Sequence, residues 1–295
     1  MNKGTALLTG STGQLGRELI GTVPPHWSLH ACSAAEADIT SFDAVRNAVS
    51  RLRPEVILNA AGYTAVDRAE QEPERAFDIN QTGVRNLALV AKEFGCRVLH
   101  LSTDFVFNGS KRSPYTPSDA PEPLGIYGSS KLAGEHELTG ILPDRSTIIR
   151  TAWLYSAGGR NFVHTIIRLL REREQLDVVS DQVGSPTYAR GLAVVIWKIA
   201  DDPTIVGVYH WVDQGATSWY DFALAIREES ERRGLLTRNT PIRPVSSADY
   251  PTEARRPAYS VLDASLLAER LGVAPTHWRI NLTRMFEELL TLANQ

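Results

Sequence analysis

The sequence has 295 residues, of which 43% are hydrophobic and 22% are charged, with a formal net charge of -3. A chain of this length can bury a large core as one or two domains, and its balanced charge gives no indication of a nucleic-acid or membrane-surface partner. The N-terminal apolar run is too short for a signal peptide, and no run is long enough to span a bilayer. Cys32 and Cys96 lie far apart without metal-like partners, which favours a reducing, cytoplasmic compartment.

Short apolar runs alternate with helical periods through the first half of the chain, as is typical of a parallel sheet covered on both faces. The predicted elements there are, in chain order, strand 6–9, helix 14–22, strands 27–32 and 37–39, helix 41–53, strand 56–58, helix 76–94, strand 97–101, a helix opening at Tyr127, and strand 146–150. After Trp153 the pattern predicts helix 161–174, strand 176–179 and a loop at 181–187, and proline becomes frequent in the last third.

These elements predict an α/β fold with a doubly wound parallel sheet of the Rossmann type and a smaller C-terminal substrate lobe. We expect the dinucleotide-binding domain to comprise residues 1–152 with about 188–213. The substrate-binding lobe should then comprise about 153–187 with 214–295.

Three glycines follow the first predicted strand, Gly10, Gly13 and Gly16, with Gln14 and Leu15 opening the next helix. Glycine at such a turn allows a tight reversal and close approach of the backbone to a pyrophosphate, which then faces the helix N-terminus. The spacing is G-x-x-G-x-x-G. Because the triplet lies between a first strand and a helix, it predicts a dinucleotide site that includes these five residues.

The choice of cofactor depends on the end of the second strand, where NAD sites usually carry an acid that binds the ribose 2′-hydroxyl. Cys32 and Ser33 stand there, and a neutral serine does not repel a 2′-phosphate. No arginine follows. We therefore expect NADPH to be used and NADH to be accepted as well.

Further cofactor contacts are expected from two loops. Asp38 and Ile39 would border the adenine. The loop that follows the strand at 56–58 would line the pyrophosphate and ribose, through Ala61, Gly62, Tyr63 and Thr64. For both loops the alternative is ordinary turn chemistry without a ligand.

Tyr127 and Lys131 are four residues apart, which places the phenol and the ammonium on one face of a helix. A neighbouring cation stabilises tyrosinate and lowers a phenol pKa that starts near about 10. Such a pair makes a proton donor for a carbonyl that is reduced at neutral pH. The run Ser102-Thr103-Asp104 lies upstream, at the end of the apolar run 97–101.

Together these motifs resemble an extended short-chain dehydrogenase/reductase, and most closely the dTDP-4-dehydrorhamnose reductase family, which makes dTDP-L-rhamnose. The tyrosine–lysine pair and the glycines are typical of the whole superfamily. The runs Ser-Thr-Asp-Phe-Val-Phe, Thr-Ala-Trp and Asp-Gln-Val-Gly-Ser-Pro-Thr resemble the reductase family itself. The resemblance extends over residues 10–16, 59–70, 80–83, 101–107, 127–131, 150–155, 181–187 and 255–257.

The resemblance implies NAD(P)H-dependent reduction of the C4 ketone of dTDP-4-dehydro-L-rhamnose. Tyr127 would protonate the C4 oxygen as hydride arrives, and Thr103 would hydrogen-bond that oxygen. Lys131 would hold the ribose and lower the Tyr127 pKa. Asn80 would support Lys131, and Ser102 would contact the cofactor.

For the substrate, the resemblance implies that Asp104 is a polar anchor and Trp153 an aromatic wall for the sugar. Arg255 and Arg256 are candidates for the diphosphate, since guanidinium groups suit it. Each assignment has an alternative: a core tryptophan, a turn-forming aspartate, solvated arginines and, for Asn80, a residue at a helix kink. Trp219 opens a predicted helix and is expected to pack in the core.

Two departures refine this interpretation. The 4,6-dehydratases of similar fold carry an acid after the aspartate, whereas Phe105 stands here and cannot protonate a leaving hydroxyl. Some family members bridge subunits through a metal held by acidic residues. Glu18 is present, but Arg190 stands at the later position, so we expect no required metal and a monomer or weak homodimer.

Two other hypotheses remain open at the level of sequence. The first is a non-catalytic dinucleotide-binding regulatory subunit on the same fold. The second is a reductase of another nucleotide-linked 4-ketohexose.

Overall fold

The computed structural model describes residues 4–293, and the elements within that range follow the predicted alternation of strands and helices. The strands are β1 (Gly4–Thr9), β2 (Trp27–Cys32), β3 (Val56–Asn59), β4 (Arg97–Thr103), β5 (Ser146–Thr151), β6 (Leu154–Tyr155), β7 (Leu176–Val179), β8 (Val183–Gly184), β9 (Thr187–Tyr188), β10 (Gly207–His210), β11 (Thr217–Ser218) and β12 (Ile242–Val245). The helices are α1 (Gln14–Gly21), α2 (Phe42–Leu52), α3 (Val66–Gln71), α4 (Pro73–Phe77), α5 (Gly83–Phe94), α6 (Ile126–Ile141), α7 (Phe162–Glu172), α8 (Ala189–Asp201), α9 (Trp219–Arg232), α10 (Ser265–Leu271) and α11 (Trp278–Ala293). A π-helical segment, Asp78–Thr82, joins α4 to α5, and a 3₁₀ turn, Asp104–Val106, follows β4. None of the helices within 4–293 combines the length and the hydrophobicity that a membrane span requires.

The main sheet has the strand order β10-β5-β4-β3-β1-β2, and all neighbouring strands are parallel. The chain starts in the interior of the sheet at β1, runs outward to β2, and then returns past β1 to β3. This reversal opens a crevice at the carboxyl ends of β1 and β3, where doubly wound sheets bind ligands. The predicted doubly wound parallel sheet is therefore confirmed.

Helices cover both faces of this sheet because successive strand residues point to opposite sides. Leu7, Ile57 and Val98 pack with α2, α5 and α6 on one face. Their chain neighbours Leu8, Leu58 and Leu99 pack with α1 and α8 on the other. This arrangement explains why the central strands read as continuous apolar runs rather than alternating ones.

A separate hydrophobic cluster lies among α7, α9 and α11 near the C-terminal end of the chain. Beside it, β7 and β12 form a short parallel pair in which Leu176 is opposite Ile242. The stretch 181–187, predicted to be a loop, carries β8 and β9, which pair with β11 and β6.

Two predicted elements are wrong in detail. Residues 37–39 form no strand, although Ile39 is 4% exposed. Its burial comes from α5: a Cβ added to Gly83 would lie 2.6 Å from Ile39 Cγ1, and Asn86 Nδ2 donates to the Ile39 carbonyl at 3.0 Å. The predicted helix 76–94 begins earlier, at Pro73, and passes through the π-helical segment.

Candidate active site

The glycine turn after β1 has the geometry of a phosphate-binding loop. Gly10 has φ 75°, and a Cβ there would lie 2.5 Å from the Ala61 nitrogen. A Cβ on Gly16 would clash with the Gly10 carbonyl. Gly13 caps α1 without a side-chain hydrogen bond, so the first-turn N–H groups remain available for an anion.

The other two residues predicted at this turn differ in orientation. Gln14 Oε1 accepts hydrogen bonds from Ser156 Oγ at 3.1 Å and Asn161 Nδ2 at 3.0 Å, and so ties α1 to the segment before α7. The Leu15 side chain is 6% exposed and belongs to the core. Leu15 can therefore serve a cofactor only through its backbone.

At the end of β2 the structure brings in an acid that sequence reasoning missed. Glu36 Oε2 accepts hydrogen bonds from the Ser33 nitrogen at 2.7 Å and the Ser33 hydroxyl at 2.8 Å. These hydrogen bonds hold the pKa of the Glu36 carboxyl below its ordinary value. Asp38 accepts from Thr40 in a local turn, so its carboxylate has a structural task in addition to any contact with adenine.

Asn80 connects the loop after β3 to α6. Its Oδ1 accepts from the Tyr63 nitrogen at 2.8 Å, and its Nδ2 donates to the Tyr63 carbonyl and the Ser130 hydroxyl, both at 3.0 Å. A Cβ on Gly62 would lie 3.2 Å from Asn80 Oδ1 and 3.7 Å from Lys131 Nζ. The predicted ribose-binding loop, with Ala61 half-buried and Thr64 exposed, therefore borders Asn80 and Lys131.

Thr103, Tyr127 and Lys131 meet at the carboxyl end of β4. Thr103 is the last residue of that strand, and Tyr127 is the second residue of α6. Close packing of α6 on the 3₁₀ turn requires a glycine, because a Cβ on Gly128 would clash with the Phe105 carbonyl. The Phe105 ring then meets Tyr127 edge-on, with centroids 5.5 Å apart.

The electrostatics of the pair differ from the sequence-based expectation. Burial raises the pKa of Tyr127 to about 12, although a hydrogen bond with Thr103 opposes the rise. Burial lowers the pKa of Lys131 to about 8, and its Nζ donates to the Leu101 carbonyl at 2.6 Å. The expected lowering of the Tyr127 pKa by Lys131 is therefore wrong for this arrangement: burial dominates, and the nearby Asp104 adds to the rise. Tyr127 keeps its proton throughout the neutral range.

Asp104 is a buried carboxylate next to this group. It is 2% exposed, and Oδ1 accepts from Thr103 Oγ1 at 3.2 Å. Oδ2 has no partner of hydrogen-bond geometry within the range 4–293, although the nearby Ser260 hydroxyl lowers the pKa of the carboxyl. Burial raises the pKa of Asp104 to about 6. A buried acceptor of this kind calls for an explanation, and a ligand hydroxyl would provide one.

The Ser102 side chain is buried and is bonded within the core. Its hydroxyl donates to the Glu135 carboxylate, which also forms a buried ion pair with Arg150 at 2.6 Å. The Ser102 hydroxyl is therefore already bonded inside the core, and the expected cofactor contact of Ser102 stays a prediction for its backbone.

A cavity lies between the 3₁₀ turn and the C-terminal part of the chain. It is lined by Phe105, Trp153, Gln182, Trp219, Arg256, Pro257 and Ser260. The indoles of Trp153 and Trp219 are stacked, with centroids 3.4 Å apart and planes at 7°. Trp153 has φ 46°, a conformation that is rare for bulky residues and that clusters at ligand sites.

The structure separates the two candidate arginines. Arg256 lines the cavity, and its Nη2 donates to Asp67 Oδ2 at 2.7 Å. Arg255 is exposed and lies outside the cavity lining. Trp219 and Gln182 were missed as lining residues because segments distant in sequence bring them to Trp153.

Arg190 lies between two carboxylates on the side of the fold where α1, α8 and α11 meet. Its Nη1 is 3.5 Å from Glu18 Oε2 and 3.1 Å from Glu288 Oε1. Tyr188 donates its hydroxyl proton to Glu288. The Arg190 guanidinium thus supplies positive charge between these two carboxylates. Residues 4–293 contain no cluster of three His, Cys, Asp or Glu side chains that could hold a metal ion.

The parallel sheet, the glycine turn and the Thr103–Tyr127–Lys131 group define a Rossmann-type oxidoreductase of the short-chain dehydrogenase/reductase class. Residues 4–291 match the family model described as the RmlD substrate binding domain. The chain is 40% identical over 280 residues to the dTDP-4-dehydrorhamnose reductase of Aggregatibacter actinomycetemcomitans, covering 92% of this chain and 95% of that protein. The corresponding values for the Escherichia coli K12 reductase are 39% over 293 residues, 97% and 98%.

A solved structure is similar over the same length. The dTDP-4-dehydrorhamnose reductase from Bacillus anthracis, in complex with NADP, superimposes with a TM-score of 0.91 at 36% identity, covering 97% of this chain and 99% of that one. The chain therefore belongs to the dTDP-4-dehydrorhamnose reductase family.

Proposed function

We propose that this protein is an NAD(P)H-dependent oxidoreductase that reduces the C4 ketone of dTDP-4-dehydro-L-rhamnose to dTDP-L-rhamnose. One observation carries the proposal: Thr103, Tyr127 and Lys131 meet at the carboxyl end of β4, in the chain's doubly wound sheet. The named relatives support this substrate, since their matches extend over nearly the whole chain.

The residues of the glycine turn fit a dinucleotide. The close approach of Gly10 to Ala61 leaves no room for a side chain at the turn, and the uncapped start of α1 offers N–H donors to a pyrophosphate. Lys131 and Asn80 border the Gly62 loop, where they would hold the ribose. The bound cofactor would supply the hydride.

The protein's own groups then perform the proton chemistry. The Thr103 hydroxyl orients the ketone oxygen, and the Tyr127 phenol donates its proton to that oxygen as the C4 carbon is reduced. Because burial raises the pKa of Tyr127 to about 12, the phenol is fully protonated before the reaction. The Phe105 ring packs edge-on to the phenol and keeps water from one side of it.

Substrate contacts would come from Asp104 and from the cavity lined by Phe105, whose ring contacts Tyr127. Asp104 Oδ2, buried and without a partner of hydrogen-bond geometry among residues 4–293, would accept a sugar hydroxyl. The Trp153 indole would form an apolar wall, and the Arg256 guanidinium would bind the diphosphate. Arg255 is exposed, so any role in diphosphate binding would be at the rim.

We also propose NADPH as the preferred cofactor, with NADH accepted. The NADP complex of the Bacillus anthracis relative supports this preference. The Glu36 carboxylate beside Ser33 opposes a 2′-phosphate, which supports a modest rather than an absolute preference.

The proposed organisation follows the sequence analysis. Residues 1–152 with about 188–213 form the dinucleotide-binding domain, supported by the pairing of β10 with β5 in the main sheet. About 153–187 with 214–295 form the substrate lobe, supported by the separate cluster around α7 and α9. The protein works in the cytoplasm as a monomer or weak homodimer, with no nucleic-acid or membrane partner.

The decisive test is Tyr127→Phe, assayed by NADPH oxidation with dTDP-4-dehydro-L-rhamnose. Loss of the phenolic proton should lower kcat by roughly 10²–10⁴-fold, the usual contribution of a general acid, while NADPH binding is retained. Tyr250→Phe is the matched control, since Tyr250 is 54% exposed, and both properties should be unchanged.

Other outcomes would favour the other hypotheses. Unaltered protein that binds NADPH but reduces neither this sugar nor related 4-ketohexoses would favour a regulatory dinucleotide-binding subunit. Turnover of a different nucleotide-linked ketone would keep the chemistry and replace the substrate.

A further inference from the structure

A ladder of polar side chains crosses the interior of the sheet and ends at Lys131. Thr9, Asn59 and His100 are register partners on β1, β3 and β4, and the three side chains are 0–1% exposed. Thr9 Oγ1 donates to Asn59 Oδ1 at 2.7 Å, and Asn59 Nδ2 lies 2.9 Å from His100 Nδ1. His100 Nε2 then lies 3.4 Å from Lys131 Nζ. The reduction described above uses none of the first three residues.

The ladder determines where the imidazole proton lies. The Ala61 nitrogen is a backbone donor, and it lies 3.1 Å from Asn59 Oδ1, so the carbonyl end of the amide must face it. The amide nitrogen of Asn59 therefore faces His100 Nδ1 and donates to it. A neutral imidazole whose Nδ1 accepts a hydrogen bond carries its proton on Nε2. Burial, reinforced by Lys131, keeps the pKa of His100 well below its ordinary value, so the ring is neutral.

This tautomer directs an N–H group at Lys131. An ammonium group has three donors and no acceptor, so Nε2–H and the charged form of Lys131 present hydrogens to each other. The uncharged amine has a lone pair that can accept from Nε2–H while its own hydrogen is donated to the Leu101 carbonyl. The contact with His100 therefore favours the uncharged form.

We propose that His100 is a positioning residue for Lys131: by presenting Nε2–H to Lys131 Nζ, it holds the side chain at the Leu101 carbonyl and weakens its affinity for a proton. The ladder through Asn59 and Thr9 keeps the imidazole in the required tautomer. Only the kinetic consequence of this role depends on the reductase function proposed above.

Other charged and titratable groups near Lys131 act in both directions. Glu135, one turn later on α6, raises the pKa of Lys131, but its carboxylate is shared with Arg150 of β5 and with Ser102 of β4. Tyr127 lies one turn before Lys131 on α6. On the 3₁₀ turn, Asp104 raises the pKa of Tyr127. From the π-helical segment the amide of Asn80, which carries no charge, faces the same loop. Burial outweighs Glu135 and lowers the pKa of Lys131. The proposed contact with His100 acts in the same direction as burial.

The direct test is the titration of Lys131 in the full chain, followed by the ¹³Cε resonances of its five lysines and assigned with Lys131→Arg. In His100→Asn the side-chain oxygen can still accept from Asn59, but the N–H facing Lys131 is removed. We expect the Lys131 midpoint to rise by about one pH unit, a tenfold gain in proton affinity. His100→Gln, which can present an oxygen to the ammonium, should raise it at least as much.

The matched control is His210→Asn, because His210 is also a buried strand histidine, 1% exposed, but bonds to the Tyr115 carbonyl. It should leave the Lys131 midpoint unchanged. A midpoint that does not move in folded His100→Asn or His100→Gln, or that moves equally in His210→Asn, overturns the proposal.

A second measurement needs no variant. The ¹⁵N shifts of the imidazoles in the unaltered protein report which nitrogen of His100 is protonated. A proton on Nδ1 overturns the proposal even if both His100 variants fail to fold. Neither measurement requires turnover. If the proposed function is wrong, Lys131 will still titrate as described, but the protein will not reduce the sugar. In an active enzyme, the alkaline limb of the pH profile of kcat/KM should shift to higher pH in both His100 variants, by the same amount as the Lys131 midpoint.

Discussion

Replacing Asp104 with asparagine should make the protein more stable at pH 8 while weakening substrate binding. The Asp104 carboxyl is 2% exposed, and burial raises its pKa from 3.8 to about 6. A pKa difference of about two, at about 1.4 kcal/mol for each pH unit, corresponds to about 3 kcal/mol. Asparagine has nearly the same shape and never ionises, so this cost disappears in the variant.

The sign of the pH dependence follows from proton binding. Between pH 3.8 and about 6 the native state binds more protons at Asp104 than the unfolded state does, so stability falls as the pH rises through this window. Protonated Asp104 imposes no charge penalty below that window. The advantage of Asp104→Asn should therefore reach about 3 kcal/mol at pH 8, fall to about half at pH 5, and become negligible below about pH 3.

Urea unfolding of both proteins at pH 8, 6.5 and 5 measures the effect. Asp177→Asn is the matched control: Asp177 is exposed, and hydrogen bonding to Arg243 holds the pKa of its carboxyl below the ordinary value. That variant should gain no stability at pH 8. An advantage of Asp104→Asn that is independent of pH, or a loss of stability at pH 8, would refute the assignment of Asp104 as a desolvated carboxylate.

Three further predictions concern the cofactor, the cavity and the metal. Glu36→Gln removes the carboxylate beside Ser33, after β2, and should raise the ratio of kcat/KM for NADPH to that for NADH several-fold in steady-state assays. An unchanged ratio would mean that Glu36 does not face the 2′-position of the ribose. Gly184→Ala places a Cβ 2.6 Å from Trp153 Cε2 and should raise the substrate KM roughly tenfold, whereas the Kd for NADPH, measured by fluorescence titration, should not change. Turnover should survive a chelator, because the Arg190 guanidinium already supplies the positive charge between its two carboxylates; loss of activity that Mg²⁺ restores would contradict this.

Local rules predicted the parts of the fold whose causes are local. The strands with continuous apolar runs, the glycine turn at Gly10 and the end of α5 at Gly95, which has φ 79°, all follow from nearby residues. The hydrophobicity of Ile39 led to a wrong strand prediction, because the residue lies in a loop that α5 covers and does not pair in the sheet. β12 was missed because its partner, β7, lies more than 60 residues earlier and Pro244 weakens the local signal.

The candidate site divides in the same way. Tyr127 and Lys131 could be paired from their spacing alone, because helix geometry places them on one face. The pKa of Tyr127 could not be predicted, since it depends on how deeply packing against Phe105 buries the ring. Glu36 beside Ser33 and Trp219 on Trp153 depend on side-chain directions that only the folded chain defines.

The π-helical segment between α4 and α5 amounts to one residue more than a regular helix would contain. Asn80 lies within it and faces the Tyr63 backbone and Ser130 from there. Deleting a single residue from this segment would restore the regular α-helical period and its hydrogen bonds. It would also turn everything on one side of the deletion by about 100° about the axis, which would swing the amide away from Lys131. The extra residue thus fixes the rotational phase between two halves of one helix, and that phase aligns the ribose loop with the catalytic helix.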